Sequence, residues 1–343
     1  MKKNFNKVIF MTNPAFFDLC GFDAQTKSLC AIYCQNQAEQ LSSWLSEADF
    51  DKLPSDLTCM AAAGAAAAGF EAMSQALAPR LRGLIKYVHA LNSGMTAGML
   101  SLASALHREG IRLLLLEDTA LALTSPAGGQ RQLWQLRIGV AKKDYDKAVS
   151  IAHQNGWEGD ASPWAATLTK GVTRQLTLFP FAESSYLWEN AAPAQLGSGA
   201  LLCPEPAAIL MGMCQLGFRT LTKKAPRAAM VHWVMDMKQL LARFNEAHWQ
   251  RALQLARQEK ACFHVGLLLH IYETFSGGAV GASAFCTLKD ARKTARLLQA
   301  FRACPDEGKK LKRVYLLHRL RRPDSLAATL GLLTREAIKK LKH

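Results

Sequence analysis

At 343 residues the chain has room for two domains, or for one domain with a helical extension, and its composition, half hydrophobic and a fifth charged, is that of an ordinary soluble globular protein able to bury a real core. The formal charge is +15, and +11 of it falls in residues 289–343, where sixteen Lys/Arg face five Asp/Glu, so an anionic partner is expected to meet that segment. A secretory leader is not expected, because Asn4, Asn6 and Lys7 interrupt any apolar run after the basic start, and no transmembrane segment is expected either.

Residues 1–58 are mixed in character, with one helix expected around 36–49. The longest uncharged apolar stretch, CMAAAGAAAAGF at 59–70, is too short to cross a bilayer and poor in Leu and Ile; it reads as a packed Ala-rich helix over 60–80. A long helical pattern over 87–109 ends at Gly110 as a C-cap. Residues 111–116 form a short apolar run expected to be a buried strand, followed by Asp118 as N-cap of a helix TALAL and by a turn SPAGGQ. A second strand is expected over 132–140. Asp144 then caps DYDKAVSIAHQNGW, which ends at Gly156, and strands at 164–168 and 174–179 complete a small sheet. After about Pro204 the pattern is wholly helical, and basic helices beyond Lys289 finish the chain. No period of 20–50 residues signals a repeat array.

The expected fold class is α+β: a small mixed sheet flanked by helices, followed by a mostly helical C-terminal region. The segments are a helical lead-in at 1–84, an α/β core at 85–190, a helical bundle at 191–285 and a basic segment at 286–343. The nine cysteines are scattered, with Cys30 and Cys34 the closest pair and no second pair at metal-ligand spacing. Free thiols in a reducing cytoplasm are the simpler account, and the protein is expected there.

Three stretches carry a resemblance: EGIRLLLLEDTAL, then RQLWQLRIGV, then AVSIAHQNGW. Further on come LLCPEPAAILMGMCQLGF and VHWVMDMKQLLARFNEAHWQRALQLARQEK, the latter with Trp233, Asp236 and Trp249 in place. In order and spacing these resemble an uncharacterised bacterial nucleotidyltransferase family of the DNA-polymerase-beta-like superfamily, over about 87–275. The resemblance implies a sheet of the nucleotidyltransferase type. It also implies a Lys-Gly at the strand-to-helix turn, an Asp-x-Asp pair on the next strand and a later carboxylate, which together hold two magnesium ions. Two Asp one residue apart on a strand point the same way because side chains alternate.

Here the Lys-Gly falls on Glu117 and Asp118, the Asp pair on Gln135 and Arg137, and the later acidic position near Thr177. An amide and a guanidinium forfeit hard-cation binding, since Arg has no lone pair to offer. The chain is therefore expected to be a catalytically degenerate relative, a module that binds a nucleotide, RNA or an acidic protein. No confident catalytic residue, no metal ligand and no cofactor are expected. Glu117, Asp118, Thr119, Arg131 and Arg137 are the candidates for nucleotide or anion binding, with the cation of Arg137 standing in for the lost metal.

Two other functions compete. In an active transferase, Glu117 and Asp118 would be relocated magnesium ligands joined by Asp144 or Asp146. In a nucleic-acid-binding protein, the run GKKLKRVYLLHRLRRP would carry the contact through Lys309, Lys310, Lys312, Arg313, Arg319, Arg321 and Arg322. The remaining motifs point to structure. Gly64 and Gly69 have phosphate-loop spacing but lack the Lys-Ser/Thr that follows one, so they read as helix packing. His232, His248, His264 and His270 lack metal-ligand spacing. The stripe Trp233, Met237, Leu240, Leu241, Phe244 reads as core.

Overall fold

A computed structural model describes residues 14–124, 131–171, 174–194, 196, 201–221, 226–287 and 291. Among the described residues five α-helices precede the sheet, the first four being α1 (Pro14–Cys20), α2 (Ala24–Cys34), α3 (Ala38–Glu47) and α4 (Ser55–Ala68). The Ala-rich helix starts and stops earlier than expected. It ends at Ala68 because Gly69 takes a left-handed φ of 88°, and a separate helix, α5 (Leu77–Arg108), begins eight residues on. Within α4, a Cβ on Gly64 would come within 3.0 Å of Leu41, so this glycine serves helix packing.

α5 is 32 residues long, and Leu81, Val88, Asn92, Met95, Met99, Leu102 and Leu106 are buried along it at spacings of three, four and seven. It stops at Gly110, whose φ of 75° lets its N–H reach the His107 carbonyl, as expected of a C-cap glycine. The chain then enters β1 (Leu113–Leu115), turns into α6 (Glu117–Thr124) and returns as β2 (Leu136–Ala141). In β2, Leu136, Ile138 and Val140 are buried on one side, so the intervening residues face the other.

A single 3-10 turn at Lys142–Asp144 leads into α7 (Tyr145–Gln154), with Asp144 at the cap position but making no side-chain cap bond. Then come β3 (Glu158–Ser162), β4 (Ala165–Lys170), β5 (Arg174–Phe181), β6 (Ala192–Pro193) and β7 (Leu201–Cys203). The sheet is mixed, in the order β3-β4-β5-β2-β1-β7-β6; β1 is antiparallel to β2 and parallel to β7, and β2 is parallel to β5. The α+β class holds. Two strands beyond residue 190 belong to the sheet, with β7 between β1 and the edge strand β6.

The helical region that follows comprises α8 (Pro206–Leu221), α9 (Arg227–Leu241), α10 (Glu246–Gln258) and α11 (Cys262–Ser276). α8 packs on α6, α9, α10 and α11, while α2 and α4 pack on α9, so the N-terminal helices and the C-terminal ones share one core. Asp56 of α4, 4% exposed, is paired with Arg227 of α9 at 3.0 Å and fixes that contact. Among the described residues no helix is long and apolar enough to cross a membrane.

Trp233 packs α9 tightly against α8: its indole N–H donates to the Met213 carbonyl at 3.0 Å, and a Cβ on Gly217 would lie 2.8 Å from that nitrogen and 2.9 Å from Leu268. Gly217→Ala is therefore expected to destabilise the protein by about 1–3 kcal/mol through overpacking, seen as a lower urea midpoint with unchanged slope. An unchanged midpoint would mean that α8 and α9 separate at little cost.

Candidate functional site

The site lies where β1 ends, α6 begins and β2 starts. Thr119, fully buried, accepts the backbone N–H of Arg137 on its hydroxyl at 2.8 Å, and Leu116 N–H donates to the Arg137 carbonyl at 3.1 Å. These two bonds stitch the first turn of α6 to β2. On the other flank β5 runs parallel to β2 with Thr177 directly beside Arg137, and the Gln135 amide donates to the Thr177 hydroxyl. The three positions expected from the resemblance, Gln135, Arg137 and Thr177, thus come together on neighbouring strands.

Charge is concentrated in the next layer. Arg131 lies just before β2, 4% exposed, held there by Asn92 of α5, whose amide donates to the Arg131 carbonyl at 2.7 Å and accepts the Leu133 N–H at 2.9 Å. Each of its three guanidinium nitrogens has a partner: Nε donates to Asp236 at 2.8 Å, Nη2 to Asp118 at 2.8 Å and Nη1 to the Gln132 carbonyl at 3.0 Å. Asp118 reaches on to Arg137, whose Nη1 lies 3.4 Å from it and 3.1 Å from Glu117. The result is a continuous chain, Asp236–Arg131–Asp118–Arg137–Glu117, that ties α9, the approach to β2, α6 and β2 together.

Four of the five residues expected to meet an anion have structural duties in this arrangement. Arg131 has all three guanidinium nitrogens engaged inside the protein. Thr119 is buried against β2. Asp118 does not cap α6: both its oxygens answer guanidiniums, because burial beside two arginines leaves a carboxylate stronger partners than a helix N–H. Glu117 holds Arg137 and takes a left-handed φ of 47°, so the unusual backbone falls one residue before the position that the resemblance gives to glycine. Arg137 is different. Its side chain is 23% exposed, both its ion pairs use Nη1, and among the described residues nothing takes its Nε–H or Nη2–H.

Burial sets the protonation behaviour. It pushes the Glu117 carboxyl up to about 7, against the pull of Arg137 and Arg219 and with a further push from Asp118. It also raises Asp236, although Arg131 draws that carboxyl back down. Arg131, which burial alone would weaken as a base, is held above its ordinary value by Asp236 and Asp118. His232 is forced down to about 3, first by burial and then by the Arg131 charge, so it stays neutral beside the network.

This donor set does not fit a pair of divalent cations. At the two paired ligand positions stand an amide turned toward Thr177 and a guanidinium that already occupies the space between two carboxylates. Asp144 and Asp146, weighed as substitute ligands, lie after β2 while Glu117 and Asp118 lie at its start, and β1 and β2 are antiparallel; they sit at opposite ends of the strand. Among the described residues no group of three or more His, Cys, Asp or Glu is arranged to hold a metal ion. The basic run from Lys309 to Arg322 lies outside the described residues.

Sequence reasoning missed two neighbours of the site. Tyr186, on the segment after β5, stands within the field of Glu117, Arg219 and Glu259, and burial raises its phenol. Arg219, exposed near the end of α8, acts on both Glu117 and Tyr186. Neither has a local signature. Asp236 did stand in a quoted motif, but its partner Arg131 lies 105 residues away.

Compared with known families, residues 55–277 match the family described as an uncharacterised nucleotidyltransferase. The matched span begins earlier than the motifs alone implied and takes in α4 and the start of α5. Neither the curated proteins nor the solved structures contain a match.

Proposed function

Because this chain belongs to the uncharacterised nucleotidyltransferase family, we propose that it keeps the family's fold as a catalytically degenerate module, one that binds the anionic part of a nucleotide, RNA or acidic protein without a divalent metal. One observation carries the reading: Arg137 stands at a metal-ligand position, held by Glu117 and Asp118, with its Nε and Nη2 edge unclaimed by any described residue. A guanidinium fixed in this way presents two parallel donors, the geometry that matches a phosphate or carboxylate. It supplies positive charge at the place of the metal but no Lewis acid and no activation of an acceptor hydroxyl. Binding without transfer follows. The eight described cysteines are free thiols, in keeping with a reducing cytoplasm.

Calorimetry with nucleoside triphosphates, in EDTA and then in magnesium, tests the proposal. Binding is expected in EDTA and is expected to be lost in Arg137→Met, a change of similar length that removes the charge. Binding that requires magnesium, or incorporation of labelled nucleotide abolished by Asp118→Asn, would overturn the proposal in favour of an active enzyme with rearranged carboxylates.

A further inference from the structure

A cavity of about 90 Å³ lies between α2, α3, α4 and α9, and none of its lining residues belongs to the chain of charges from Asp236 to Glu117. More than half of that lining falls in residues 32–41, ahead of the span 55–277 shared with the family, so the family's common residues alone do not assemble it. Ile32, Leu41 and Ala68 give it an aliphatic wall, and among the described residues that line it Lys238 alone is charged. The half-buried Lys238 ammonium donates to the Tyr33 carbonyl and, at 2.6 Å, to Asn36 Oδ1, and it lies 4.1 Å from the centre of the Tyr33 ring. All of these partners are neutral. No carboxylate of the described residues stands within 4.0 Å of it, and burial pulls its ammonium below the ordinary value, the direction taken by a cation without an anion beside it. Asn36, at the exposed rim, takes a left-handed φ of 55° and gives only its oxygen to Lys238; its Nδ2 amide has no partner among the described residues.

We propose that this cavity binds a small aliphatic carboxylate, its oxygens at the rim against Lys238 and the Asn36 amide and its hydrocarbon end on Ile32, Leu41 and Ala68. The charge follows from the one cation that lacks a counter-ion, since an anion beside it restores the interaction that burial took from water. The carboxylate follows from the donor set: one ammonium and one amide answer two oxygens, whereas a phosphate would leave acceptors against aliphatic groups. The size follows from the volume. An apolar cavity of about 150 Å³ holds a benzene ring, so one of this size suits a chain of about three or four carbons.

Calorimetry of the full chain with butyrate, butyramide and inorganic phosphate is the test. Butyrate is expected to bind with a Kd of about 1 mM or tighter, and butyramide, the neutral isostere, at least about tenfold more weakly. Ala68→Leu fills the cavity from an exposed helix position, and Asn36→Gly removes the rim amide with a residue that tolerates this φ. Each is expected to weaken butyrate about tenfold or more with the urea midpoint little changed. Lys238→Met is expected to abolish binding; because it also frees the end of α2, the other two variants carry the test if it folds poorly. Arg137→Met is expected to leave butyrate affinity unchanged. Butyrate binding weaker than 1 mM, equal affinity for butyramide, tighter binding of phosphate, or affinity that survives Ala68→Leu would each overturn the assignment. Loss of butyrate binding in Arg137→Met would place the acid at the other site and overturn it as well, without touching the proposed function.

Discussion

Arg131→Met is expected to lower the stability of the fold by about 3–5 kcal/mol, because it removes one partner from a buried ion pair and leaves the other uncompensated. Asp118 and Asp236, with side chains 12% and 7% exposed, both lose their 2.8 Å partner in the same step. The Gln132 carbonyl loses a donor as well. The change reaches two helices at once, because α6 carries Asp118 and α9 carries Asp236. Urea denaturation should give a lower midpoint with the slope preserved. Replacing the triad together, Arg131→Met with Asp118→Leu and Asp236→Leu, should recover most of the loss, since apolar packing of similar volume often equals a buried ion network. A single variant as stable as the parent would mean that water reaches both carboxylates.

The second large effect is a dependence of stability on pH that belongs to Glu117. Its folded carboxyl titrates at about 7 instead of the ordinary 4.5, so between those values the folded chain holds a proton that the unfolded chain has released. The favourable contribution is fully present below about pH 4.5 and is lost as pH rises through 7. The shift corresponds to about 3 kcal/mol, discounted to about 2 kcal/mol for a side chain that is 23% exposed. Stability of the unaltered protein relative to Glu117→Gln is therefore expected to fall by about 2 kcal/mol between pH 5 and pH 8. The comparison cancels the other titrating groups. A difference that stays flat over that interval would place Glu117 in water.

Much of the fold was legible in the sequence where it depends on neighbours along the chain. The stripe on α5, the Gly110 stop, the apolar run of β1 and the alternation of Leu136, Ile138 and Val140 all come from one element's own periodicity. Elements without that signal were not found. β3 reads EGDAS and is exposed along its whole length, so no buried face marks it; β7 has three residues and gains its place by pairing with β1 and β6. The break at Gly69 was hidden inside an Ala-rich composition that helix propensity favours on both sides.

For the site, the sequence by itself determined which side chains stand at the expected metal positions. Gln135 and Arg137 lack carboxylates whatever the fold does with them. Only the tertiary structure decided what those residues do instead. Whether an arginine faces solvent, answers a carboxylate or reaches a ligand depends on groups far away in sequence, and burial multiplies the energy of whichever pairing forms. Folding spent Arg131 on Asp236 and Asp118 and set Glu117 against Arg137. Periodicity reports which face of an element is buried; it carries no information about which charge from another element will be buried beside it.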